Sequence, residues 1–95
     1  MTITRFKDSL KHDVPPNDIR YELRALWLDA RGEWEKAHSV VQNIDTPESA
    51  WVHAYLHRRQ GDSKNAAYWY ERAGRKVCTT SLEDEWQYIA ENLLE

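Results

Sequence analysis

The chain has 95 residues, a length that fits one domain and excludes a catalytic domain beside a regulatory one. Charged residues make up 31% and hydrophobic residues 41%, which is typical of a soluble globular domain rather than a disordered or membrane-embedded chain. The formal net charge of -3 argues against a dedicated nucleic-acid binder, whose domain is normally basic.

Cysteine content and hydropathy indicate the expected cellular location of the protein. Cys78 is the only cysteine, so a disulfide within the chain is excluded and a reducing cytoplasm is the expected setting. The first residues lack the apolar run of a signal peptide, and no window approaches the ~18 apolar residues of a membrane span. We therefore expect a cytoplasmic protein of bacterial type that contacts neither membrane nor nucleic acid.

Apolar residues recur at intervals of three and four, which predicts helices rather than strands. A first short helix is expected over residues 3–10, and the paired prolines at 15–16 end this segment. A second helix is expected to open at Asn17 or Asp18 and to run to about Arg31, followed by a glycine suited to a helix end.

The second half of the chain carries stronger boundary signals. A third helix is expected over residues 33–43. Thr46 supplies a capping hydroxyl for a fourth helix over residues 47–60, which has proline at its first position and an acid in its first turn. A glycine–acid turn leads to a fifth helix over residues 63–74, and a last helix follows Ser81.

The predicted fold class is all-α, built as tandem antiparallel helical hairpins with flanking N- and C-terminal helices. We expect a single domain over residues 1–95. Its parts are an N-terminal helix within 1–14, a first hairpin over 17–45, a second hairpin over 46–74 and a capping helix within 81–95.

An internal repeat supports this arrangement. Aligning Gly32 with Gly61, an offset of 29 residues, also aligns Ala37 with Ala66, so each unit has a glycine–acid turn and then a small residue. The pattern resembles the tetratricopeptide repeat, although its period is shorter, and residues 20–88 are similar to short bacterial proteins of that type. The resemblance implies a short α-solenoid and carries no activity with it.

A stripe of aromatic and basic residues marks the fourth helix. Its members are Trp51, Tyr55, Arg58 and Arg59. In the tetratricopeptide-like register this stripe lines a concave groove, where arginine beside aromatic rings suits an acidic peptide or a C-terminal carboxylate. The favoured alternative is that the acidic last helix fills the groove: residues 52–76 hold six basic and two acidic residues, whereas residues 80–95 hold five acidic and no basic ones.

A histidine pair lies on the same helix. His53 and His57 are four residues apart and share a face. We favour structural imidazoles that form hydrogen bonds across the hairpin. The second interpretation is a polar site for a small anion, and metal binding with His38 as a third ligand is the least favoured, since the His-Glu-x-x-His pattern is absent. The polar site would comprise His53, His57, Asn65, Tyr68 and Arg72. The sequence thus assigns neither a metal site nor a cofactor.

The sequence contains no signature of an enzyme. It has no glycine-rich phosphate loop and no Gly-x-Ser-x-Gly, and Cys78 has no histidine partner nearby in the sequence. The predicted function is a non-enzymatic interaction or scaffold module that binds a protein or peptide, with an acidic partner fitting best. The alternatives are a small-molecule or metal-binding protein and a homo-oligomer, for instance a dimer, that associates through Ile3, Phe6 and Leu10.

Overall fold

The computed structural model describes residues 1–94, and within them the chain forms six α-helices, one short 3-10 helix and no strand. This confirms the all-α class. The helices are α1 (Ile3–Asp8), α2 (Tyr21–Ala30), α3 (Trp34–Val41), α4 (Pro47–Gln60), α5 (Ser63–Ala73) and α6 (Leu82–Leu93), and the 3-10 helix covers Ser9–Lys11. Glu95, the last residue of the predicted capping segment, lies outside the described residues.

Side-chain caps explain where the later helices begin. The Thr46 hydroxyl accepts a hydrogen bond from the Ser49 backbone N–H at 3.1 Å, and Pro47 occupies the first turn of α4. In the same way, the Ser81 hydroxyl accepts a bond from the backbone N–H of Asp84 at 3.1 Å at the start of α6. Helix α4 therefore has the bounds that its sequence signals predict.

Helix α2 begins later than predicted. It starts at Tyr21 rather than at Asn17 or Asp18. Asp18 has a φ of 61°, in the left-handed region, and a residue in that conformation cannot sit inside a right-handed helix. The segment before Tyr21 is consequently a connection, not an extra turn of helix.

Helix α4 is the centre of the molecule. It contacts α2, α3, α5 and α6, and α2 also packs against α3 and α6. Every residue from 49 to 56 is buried, so this helix buries residues on all of its sides rather than on one stripe. The radius of gyration is 12.2 Å, close to the about 12 Å of a compact chain of this length.

Helix α6 closes one side of the core. Its Trp86 indole donates a hydrogen bond to the Leu26 carbonyl of α2 at 2.9 Å, and the Trp86 ring stacks on Phe6 of α1. Across residues 1–94, no helix combines the length and the apolar character that crossing a bilayer would demand.

Candidate metal centre

The predicted groove stripe of α4 is not an open surface in the structure. Trp51 and Tyr55 are only 4% and 1% exposed. The Arg58 guanidinium forms an ion pair with the carboxylate of Glu85 on α6, with Nη1 and Oε1 2.8 Å apart. The acidic last helix therefore lies against this stripe, as in the alternative that the charge distribution favoured.

The other arginine of the stripe turns towards α2. Its Nε lies 3.2 Å from Oδ1 of Asp29, a carboxylate that is 2% exposed. Burial raises the pKa of Asp29, and the positive charge of Arg59 opposes that increase. Both arginines of the stripe are thus used in ion pairs inside the fold.

The polar residues predicted on α5 lie on its exposed side, and each has a hydrogen-bond partner within the protein. The Asn65 amide donates to the Asp62 carboxylate at 2.7 Å, at the N-terminal cap of the helix. Arg72 donates to the Tyr68 hydroxyl at 3.1 Å and to the Asp45 carboxylate at 3.2 Å. The anion-binding cation of the predicted polar site is therefore already partnered.

A different group comes together around the histidine pair. His38 of α3 meets His53 and His57 of α4, and one candidate ligand atom from each lies within 4.8 Å of those of the other two. The spacing of four residues stacks His53 over His57 on one face of α4. The packing of α3 against that face brings His38 within ring centroid distances of 4.6 and 5.3 Å from them.

Two tryptophans form walls beside this three-histidine cluster. The Trp69 ring of α5 stacks on His53 with centroids 3.8 Å apart, and the Trp34 ring stacks on His38 at 5.0 Å. The Trp34 indole is itself held by a 2.7 Å hydrogen bond to the carbonyl of Leu56. The planes of two of the three imidazoles are therefore set by packing.

Two buried nitrogen atoms of the cluster have no hydrogen-bond partner within residues 1–94: Nδ1 of His53 and Nδ1 of His57. The hydrogen bonds expected across the hairpin are not formed at these atoms. A buried polar atom without a partner costs about 1–3 kcal/mol, so the fold keeps these nitrogens at an energetic cost.

The electrostatics of the cluster favour neutral imidazoles. Burial, followed by repulsion from His38 and His57, lowers the pKa of His53 to about 4. Burial, followed by repulsion from His57, also lowers the pKa of His38. At neutral pH these two rings are mainly neutral, and a neutral imidazole has one ring nitrogen whose lone pair can bind a metal ion.

Sequence reasoning identified parts of this cluster without its geometry. It paired His53 with His57 and named His38 as a third ligand, but it gave metal binding the least weight. The available signal was the four-residue spacing within each pair on neighbouring helices, Trp34 with His38 and His53 with His57. Bringing the two pairs together requires the register of α3 against α4, which spacing alone does not contain.

No protein-family model matches the chain, and no curated protein or solved structure shows significant similarity to it. The tetratricopeptide-like resemblance stays a prediction. The candidate site is therefore interpreted from its own geometry and chemistry.

Proposed function

We propose that the chain binds one transition-metal ion, of the kind represented by Zn²⁺ and its spectroscopic substitute Co²⁺, through His38, His53 and His57. The observation that carries the proposal is the convergence of three imidazoles whose ligand atoms lie within 4.8 Å of one another. Metal–nitrogen bonds of roughly 2.0–2.1 Å place three tetrahedral ligands ~3.4 Å apart, so the candidate ligand atoms must draw closer together when an ion binds. Imidazole is a ligand that suits zinc, copper and nickel.

The surroundings of the three histidines support a binding site rather than a purely structural role for these residues. A structural imidazole normally satisfies its buried nitrogen with a protein partner, which Nδ1 of His53 and Nδ1 of His57 lack within the described chain. The indoles of Trp34 and Trp69 orient the rings by their faces and leave the ring nitrogens free. No carboxylate was found hydrogen-bonded to these imidazoles in residues 1–94, so we expect an affinity about 10–100-fold below that of a site with such support.

The test is a titration of the metal-free chain with Co²⁺, followed by visible absorption, and with Zn²⁺, followed by calorimetry. We expect one ion per chain and a loss of affinity of about tenfold or more in His38→Gln and in His53→Gln, because each change removes one of three ligands. The matched control is His12→Gln, which replaces the exposed histidine outside the cluster. The variant Cys78→Ser excludes binding through the thiol.

Three results would contradict the proposal: the absence of stoichiometric binding, equal binding in His38→Gln and the wild type, or a loss in His12→Gln of the same size. Circular dichroism accompanies each titration because His53 is 4% exposed and its replacement can perturb the fold. His38 is only partly buried, so His38→Gln separates lost ligation from lost folding.

The finer arrangement of the fold belongs to the same proposal. We infer that α2 with α3, and α4 with α5, form two hairpins of a tetratricopeptide-like array closed by α6. The packing of the helices within each pair supports this, as do the left-handed glycines at both turns, Gly32 and Gly61. The protein-interaction function stays a prediction, but its groove arginines, Arg58 and Arg59, are engaged by Glu85 and Asp29.

A further inference from the structure

The geometry points to an open coordination position at this metal site, which accepts a small anion with a single donor atom. The inference rests on the proposed function and adds to it the class of ligand that the bound ion would take. A closed site holds its ion only for stability, whereas a site with three protein ligands keeps one tetrahedral position for an exogenous group.

Residues 1–94 bring three protein ligands together at this site, not four. Among the histidine, cysteine, aspartate and glutamate side chains of residues 1–94, the group that can hold an ion contains His38, His53 and His57 alone. The thiol of Cys78 lies 3.1 Å from the Thr80 hydroxyl, in the connection that follows α5. The chain therefore leaves a tetrahedral ion one ligand short.

Asp62 is the acidic residue to examine as a fourth ligand. It is close enough to His57 for that imidazole to contribute to the lowering of its pKa, after its hydrogen bonds with Asn65. Both carboxylate oxygens are nevertheless engaged, because Oδ1 accepts from the Asn65 backbone N–H at 3.2 Å and Oδ2 from its amide at 2.7 Å. Asp62 is also not a member of the group whose candidate ligand atoms come together, so the carboxylate serves as the cap of α5 and not as a ligand.

The tryptophan walls limit both the donors and the size of the incoming group. Indole rings have no lone pair to offer a metal ion, and the N–H of Trp34 is already bonded to the carbonyl of Leu56. His53 lies inside at 4% exposed, whereas His38 is only partly buried, so the cluster comes nearest to the surface at His38. We therefore expect a ligand of few atoms to reach the ion more readily than a branched one.

The charge of the site favours an anion. The ring contacts of the three histidines are with one another and with Trp34 and Trp69, which are uncharged. The one negative charge that interacts with the cluster in residues 1–94, Asp62, is shared with the Asn65 N–H groups. A divalent ion held by neutral imidazoles keeps its full charge of about +2, and the bound cation becomes the largest local charge. A small anion reduces that charge where a neutral molecule would not.

The experiment uses the full chain loaded with one equivalent of Co²⁺ and titrated with sodium azide. We expect a saturable change in the visible cobalt bands with one azide per ion, and no such change for Co²⁺ in buffer. The variant Asp62→Asn keeps a capping side chain and should bind azide with an affinity within about twofold of the wild type, because Asp62 is not a ligand.

The outcomes of this experiment distinguish a failure of the open position from a failure of the proposed metal binding. Cobalt can bind stoichiometrically and yet show visible bands that azide leaves unchanged or converts to those of free cobalt. Either result overturns the open position and leaves the proposal of metal binding intact. A metal-dependent dimer in sedimentation velocity also overturns it, because a second chain then fills the position. An azide affinity that is higher by about tenfold or more in Asp62→Asn than in the wild type would identify Asp62 as the fourth ligand. This result would also overturn the open position. Absence of stoichiometric cobalt binding overturns the proposed function itself.

Discussion

At the scale of single residues, the most consequential charge is the carboxylate of Glu85. It is 2% exposed and receives hydrogen bonds from the Arg58 guanidinium, at 2.8 Å, and from the Tyr70 hydroxyl. Burial and the adjacent Glu85 carboxylate raise the pKa of Tyr70, which keeps its hydroxyl protonated as a donor. Glu85 is therefore stabilised only as long as both partners are present.

The variant Arg58→Met should lower the free energy of unfolding by about 3–5 kcal/mol. The aliphatic stem of arginine is preserved, but a buried carboxylate loses its counter-ion. Urea denaturation followed by circular dichroism measures the effect. The matched control is Arg72→Met, which removes an ion pair with an Asp45 side chain that is 93% exposed and should cost less than about 1 kcal/mol.

Equal losses in the two variants would contradict this assignment, because they would show that Glu85 does not depend on Arg58. A double variant, Arg58→Met with Glu85→Gln, should recover part of the lost free energy, since the amide needs no counter-ion. Recovery of stability therefore distinguishes an unpaired charge from simple loss of packing.

At the scale of elements, α4 holds two of the three proposed ligands, and the second of them, His57, lies in its last turn. Its final turn is closed by Gly61, with a φ of 87° and a backbone N–H that donates to the carbonyls of Arg58 and His57. The end of the helix thus determines the position of the backbone that carries His57.

The variant Gly61→Ala should cost about 1–2 kcal/mol of unfolding free energy, because an alanine in the left-handed region is strained. A Cβ built at this position meets no atom within 4 Å, so the cost is conformational and not steric. Thermal denaturation measures it. Gly61→Asn is the control and should cost less, because asparagine tolerates the left-handed conformation; equal costs would contradict the explanation.

The elements also show how far the sequence can be interpreted alone. The bounds of α4 were predictable because Thr46, Pro47 and Gly61 act locally, through a hydroxyl, a fixed φ and a permissive φ. The later start of α2 was not predictable. Asp18 adopts the left-handed backbone conformation, which an aspartate or asparagine permits but does not require. The charge distribution indicated a contact between acidic α6 and the basic stripe, and Arg58 does pair with Glu85, but the pairing of Arg59 with Asp29 of α2 was not indicated.

The candidate site was predictable only in part for a similar reason. Helical periodicity places His53 over His57, and this needs no knowledge of the neighbouring helices. The approach of His38 depends on how α3 is rotated against α4. The Trp34 indole contributes to that arrangement, because it donates a hydrogen bond to the Leu56 carbonyl and stacks on His38. Tertiary contacts of this kind leave no spacing signal in a single sequence.

At the scale of the whole molecule, metal binding should stabilise the fold, because the three ligands come together only when α3 and α4 are packed. With free Zn²⁺ at 100 times its dissociation constant, linkage predicts a gain of about 2.7 kcal/mol. For a chain of this size the gain corresponds to a rise in Tm of roughly 10–20 °C. Differential scanning calorimetry measures the shift.

The control for this thermal shift is His38→Gln, which should lose most of it, while His12→Gln should retain it in full. Addition of a chelator should return the wild type to its metal-free Tm. A shift of equal size in His38→Gln would mean that zinc stabilises the chain at another place, and it would contradict the proposed site.

The last turn of α4 links the metal centre to the rest of the molecule. Three consecutive residues, about 100° apart around the helix axis, leave it in different directions: His57 towards the histidine cluster, Arg58 towards α6 and Arg59 towards α2. Together these three contacts restrain the rotation of α4 about its own axis. We therefore expect that a variant which loosens either arginine also shifts the His57 imidazole, so that the affinity of the proposed metal site would depend on the packing of the other faces of α4.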